Sequence, residues 1–312
     1  MITSIFGKTK PINFIIVLTF LFLCYWLVHF FLFNRAYEPN EILLQTGVLG
    51  FLLFSFFVVD FIVKRNKMTG PNSYIILYFG LLMLVFPETL VDNNAIICNF
   101  FLLLATRRLI SIRSLKNIKF KIFDASLWVM FSSLFYDWAL LYLLVVFIAI
   151  YIYEPKNFKN WLVPFAGVFV MFMITYSFLI LTHNQEYILN HYQFNIKFNA
   201  GFYLNWTNSA KLIIYTLIVF IMSIFAFLKL GKSGLGKIVT TRLIVFSFVV
   251  GLVLNILVSS EGIHPILLTF FPAAVLITNY VESIKRENTQ EIILIFSIFV
   301  PFMVFLTTLI AK

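Results

Sequence analysis

The chain has 312 residues, 62% of them hydrophobic and 12% charged, with a mean hydropathy of +0.98; water-soluble domains hold about 45–50% apolar and about 25% charged residues. The formal charge of +10 does not imply a nucleic-acid partner, because the basic residues are spread over short loops between apolar runs rather than gathered on one face. A soluble fold is therefore excluded, and the expectation is an all-α, polytopic integral membrane protein whose residues 1–312 form a single transmembrane domain in contact with membrane lipid.

Lys8 and Lys10 lead into a first apolar run with no small-residue cleavage site after it, which reads as a retained membrane helix. Further on, apolar runs fall at 13–33, 42–63, 73–87, 95–106, 122–136, 139–153, 161–182, 211–228, 243–258, 264–281 and 291–310, predicting about eleven membrane segments. The runs 95–106, 122–136 and 139–153 are short for a spanning helix, which needs roughly 17–25 residues. With the N-terminus placed inside, only Arg35, Lys197, Lys211 and Lys312 of the 23 basic residues fall on the outer side. That bias sets the N-terminus cytoplasmic and the C-terminus outside. Cys24 and Cys98 lie within apolar runs and read as packing residues, so no disulfide, metal or other cofactor is implied.

Between Lys121 and Glu154 a long apolar stretch is broken at Tyr136, Asp137 and Trp138. One continuous helix there would move every later loop to the other side and scatter the basic residues, so two short helices that descend and return are expected, with Asp137 at their outer turn. The basic segment from Arg107 to Lys121 has Leu109, Ile110, Ile112, Leu115, Ile118 and Phe120 interleaved, which predicts an amphipathic helix on the anionic inner leaflet. Asp60 and Asp124, beside basic loops, are expected to pair locally with Lys64 and Lys121. The outer segment 183–210 predicts an interfacial cap, in which His183, Glu186, Tyr187 and His191 share a helical face without metalloprotease spacing. Residues 231–237 form a basic Gly-rich loop whose Gly231-Lys232 pair lacks the first glycine of a phosphate loop, Ala226 standing in its place.

The four histidines and the acids Glu38, Glu41, Glu88, Asp92, Asp137, Glu186 and Glu261 fall in or near outer segments. Asp137 stands out, because a carboxylate between apolar runs is costly unless it meets water or a partner. Asp137, Glu38 and Glu41 are the candidate catalytic carboxylates, with Arg35, His264 and Glu261 as candidate substrate-binding residues. The same residues also fit plain roles, since loops must be hydrophilic and an Asp at a wet turn caps helices.

Residues 121–128 (KIFDASLW) and 132–136 (SSLFY) resemble a family of uncharacterised multi-pass bacterial inner-membrane proteins, over most of the chain. That resemblance implies the bacterial inner (cytoplasmic) membrane, with the outer face periplasmic. More loosely, residues 260–265 (SEGIHP) leading into 267–274 (LLTFFPAA), and the break at Asp137, are similar to polytopic glycosyltransferases and glycan polymerases that use polyprenyl-phosphate carriers. Those enzymes usually have a long first outer loop with a catalytic acid, whereas only 34–41 separates the first two runs here. The resemblance implies a polyprenyl-phosphate-linked substrate handled at the outer leaflet. A non-catalytic subunit of an envelope assembly or export complex, bound to other membrane subunits, is the second reading, and a transporter or flippase the third.

Overall fold

The computed structural model describes residues 2–196, 204, 206–230, 235–258 and 264–310. Among them every regular element is helical: α1 Ile2–Phe6, α2 Pro11–Leu27 with a π turn Val28–Leu32, α3 Pro39–Arg65, α4 Tyr74–Val85, α5 Asn93–Ser111, α6 Ile118–Ser132, α7 Leu143–Tyr153, α8 Phe158–Leu181, α9 Glu186–His191, α10 Trp206–Leu230, α11 Leu235–Val258, α12 Phe270–Val281 and α13 Glu287–Ile310. Short 3-10 turns at Pro87–Leu90, Asp137–Tyr142 and Pro265–Thr269 lead into α5, α7 and α12.

Among the described residues, seven helical stretches are long and apolar enough to cross a membrane: Pro11–Leu32, Pro39–Arg65, Asn93–Ser114, Phe158–Leu181, Ser209–Leu228, Gly236–Val258 and Glu287–Ile310. Each expected run overlaps a helix, but the helices α4, α6, α7 and α12 are shorter than this. Conversely the 95–106 run, expected to be short, belongs to a stretch of spanning length. Asp92 starts it and Arg107 and Arg108 continue the helix beyond the apolar core, where long cationic side chains reach the polar boundary.

Burial separates a centre from a rim. The most apolar window of Asn93–Ser114 is 72% buried, against 17% for Ser209–Leu228 and 11% for Glu287–Ile310. The rim helices point large apolar side chains outward, Leu228 at 73% and Phe296 at 62% exposure, a surface that hydrocarbon tolerates and water does not.

Contacts sort the loops into two ends. At one, Asn72 Nδ2 donates to Glu282 at 2.7 Å, Ile2 N to Glu291 at 2.6 Å, and Lys121 Nζ to the Ser111 carbonyl at 2.6 Å. This Arg107 end gathers the starts of α2, α4, α6, α8 and α13 and the ends of α3, α5 and α12. At the other, the Asp92 end, His29 meets Leu90 and the backbone of His264 meets Asp92. The break at Tyr136 lies here, so α6 arrives and α7 leaves as a returning pair that pack on each other.

Two sequence expectations change. Residues 107–121 do not form a flat amphipathic helix: α5 runs to Ser111, a 3-10 turn follows, and Leu115 (φ 52°) and Asn117 (φ 51°) reverse the chain into α6. Asp60 pairs with Lys64 at 2.6 Å, but Asp124 pairs with Arg108 at 3.0 Å rather than Lys121, because Lys121 is taken by Ser111 and Ser114.

Candidate functional site

The polar centre of the Asp92 end is Asp92, 6% exposed. It is the N-cap of α5, its Oδ1 accepting from Ala95 N at 3.0 Å. Its Oδ2 accepts from the Tyr136 hydroxyl and, at 2.7 Å, from the backbone N–H of His264. One carboxylate thus ties the start of α5 to the α6–α7 turn and to the residue before the 3-10 turn that leads into α12. Burial, and then the Asp92 charge beside it, push the Tyr136 hydroxyl well above its ordinary range, so it stays a donor. The sequence showed Asp92 only as one loop acid among several, and Tyr136 only as part of a break. The one local signal was an Asp directly before a helical run that opens with Asn93, a cap pattern.

Burial pushes the His264 imidazole below its ordinary 6.5, with the Glu88 and Asp92 carboxylates opposing. A ring that resists charging when folded leaves the unfolded chain binding more protons on acidification. This contribution is complete above the unfolded value and is lost as the pH falls through the folded one. The unfolding temperature is expected to drop as the pH falls below the ordinary histidine value of about 6.5, and to drop less in His264→Gln; equal slopes would remove His264 as the cause.

The first loop forms a second cluster. His29 is buried, its Nε2 directed at the Leu90 carbonyl at 3.0 Å, which only an N–H can satisfy; in the uncharged ring Nδ1 then accepts from Tyr37 at 2.5 Å. Glu38 and Glu41 are exposed and close a capping box at the start of α3, with Pro39 at the first helical position. Arg35 is exposed, and its backbone N–H closes the turn on the His29 carbonyl. Among the described residues no hydrogen bond or ion pair joins Arg35, Glu38 or Glu41 to Asp137.

Asp137 opens the 3-10 turn before α7 and is partly exposed. Its Oδ1 accepts from Trp138 N at 2.8 Å and its Oδ2 from Phe194 N at 3.1 Å. The segment bearing Phe194 docks on the same turn. Tyr187 donates to the Leu134 carbonyl at 2.6 Å, the His191 ring N–H to the Ser133 carbonyl at 2.7 Å, and Tyr192 shares a 2.8 Å bond with the Ser133 hydroxyl. Of the face expected here, Glu186, Tyr187 and His191 lie in α9, whereas His183 precedes it in a left-handed turn. Beside this turn an apolar groove of about 590 Å3 runs between α7 and α8, floored by Phe147, Phe165 and Phe169 and reaching Tyr192 and Phe194.

The sequence-derived candidates therefore occupy three places: Glu38, Glu41 and Arg35 at the head of α3, His264 on Asp92, and Asp137 beside the groove. Glu261 lies outside the described residues, as do 231–234 of the basic Gly-rich loop and 197–203 of the expected cap. Comparison with protein-family models, with curated proteins and with solved structures finds no match for this chain.

Proposed function

We propose that the chain is a bacterial inner-membrane protein of about eleven membrane segments that handles a lipid-linked sugar at the outer leaflet, in the manner of a glycosyltransferase or glycan polymerase. In this reading the Arg107 end is cytoplasmic and the Asp92 end periplasmic, with the N-terminus inside and the C-terminus outside. The distribution of Lys and Arg supports that orientation. The observation that carries the chemistry is the groove: a slot of about 590 Å3 lined by Phe, Leu, Val and Ile side chains suits an isoprenoid chain, and it ends where Phe194 donates to Asp137. Asp137 is then the carboxylate nearest a carrier's phosphate–sugar junction and acts as acid or base there.

The test is labelling of the full-length protein in membranes with a photoreactive polyprenyl phosphate. Cross-links on the α8 face of the groove, lost in Val168→Trp, are expected; labelling that ignores Val168→Trp would sink the groove assignment. Asp137→Asn is expected to lower cellular function by about 10²-fold or more with normal expression.

A second reading, a non-catalytic subunit of an envelope complex, is favoured by a different observation. Glu38 and Glu41 cap α3, and both Asp137 oxygens accept main-chain N–H groups. It requires unchanged function in Asp137→Asn and stable co-purification of other membrane chains.

A further inference from the structure

At the Arg107 end, away from the groove, the α3 terminus brings Arg65 and Lys67, α5 brings Arg107 and Arg108, the following turn Arg113, and α6 Lys121. These side chains line one cavity of about 530 Å3. Among its described lining residues there is no acid. Arg108 is paired with Asp124, and Lys121 is held by Ser111 and Ser114. Among the described residues Arg65, Lys67, Arg107 and Arg113 have no carboxylate within salt-bridge distance. Like charges gathered this closely repel unless an anion sits among them.

Two further features indicate a built site. The Arg107 and Arg65 guanidinium groups lie 4.8 and 5.5 Å from the centre of the Phe61 ring, and Phe61 is 39% exposed on the apolar surface of α3. Two of the cavity's guanidinium groups therefore reach the apolar flank of α3. Arg113 packs over Gly236 at the start of α11, where an added methyl would fall 2.6 Å from its Cζ, so glycine makes room for the guanidinium.

We infer that this cavity binds a multiply charged phosphate compound: the headgroup of a membrane lipid bearing two phosphates, or a free diphosphate. Guanidinium forks match phosphate oxygens two at a time, and the volume exceeds what one phosphate fills. The site is at the opposite end from Asp137 and does not depend on the reading given for the groove.

The test uses full-length protein in an uncharged detergent, titrated calorimetrically with inorganic diphosphate, and in parallel reconstituted in phosphatidylcholine vesicles containing cardiolipin, with retained lipid read by native mass spectrometry. Arg107→Gln/Arg113→Gln is expected to weaken the bound probe about tenfold or more. Lys156→Gln/Lys159→Gln, in another basic loop of the same end, is expected to leave it unchanged. Diphosphate binding without cardiolipin retention identifies a free anion as the ligand. Retention lost in the double variant identifies the headgroup. Binding of neither probe, or an equal loss in the control, overturns the proposal. Should Arg107→Gln/Arg113→Gln fail to fold, Arg65→Gln/Lys67→Gln, at exposed positions of the same cavity, is held to the same outcomes.

Discussion

Asp92→Ala is expected to be the most damaging single substitution at the Asp92 end, lowering stability by about 3 kcal/mol or more. The α5 cap accounts for about 1 kcal/mol of this. The rest comes from leaving the buried Tyr136 hydroxyl and the His264 N–H without their acceptor, at about 1–3 kcal/mol for each buried orphan. Tyr136→Phe should cost less, about 1 kcal/mol, because it removes donor and bond together while leaving the cap intact. The two changes should also be non-additive, since they share one bond. Asp92→Asn is the sharper probe: its Oδ1 can still cap α5, but an amide NH2 would then face two donors. Thermal unfolding in detergent, followed by tryptophan fluorescence, reads all three. An Asp92→Ala midpoint no lower than that of Tyr136→Phe would show that Asp92 is not the tie between α5, the α6–α7 turn and residue 264.

Gly167→Val is expected to separate α6 from α8 and to cost about 1–3 kcal/mol, the range for overpacking a close contact. A Cβ at this position would lie 2.8 Å from the Phe123 carbonyl oxygen and 2.9 Å from the Ser126 Cβ. The first of these is backbone and cannot rotate aside. Small residues at such a crossing let two membrane helices approach closely, which matters more in lipid, where apolar burial alone gives little reason to associate. Because α8 is also a wall of the groove, Gly167→Val should widen it and weaken cross-linking by a polyprenyl probe. Spin-label distances between α6 and α8 measure the separation directly. An unchanged distance with an unchanged unfolding midpoint would mean that the crossing is looser than its geometry indicates.

The solvent and the alternation of sides were legible in the chain alone. Apolar runs must be helical in hydrocarbon, because backbone polar groups there have no other partner. The break at Tyr136–Trp138 was also legible, since only a reversal keeps the basic loops together, and the returning α6–α7 pair agrees with it. The pairing of Asp60 with Lys64 is one turn of helix and equally local. The remaining features depend on contacts between residues far apart in the chain. Asp92 becomes a hub because it meets residues 44 and 172 positions away, and Arg65 and Arg107 share Phe61 although a full helix and its turns lie between them. Hydropathy counts how much of a segment is apolar but not which neighbour it faces; that is set by packing, such as the Gly167 crossing, and it turned an expected surface helix at 107–121 into one wall of a cationic cavity.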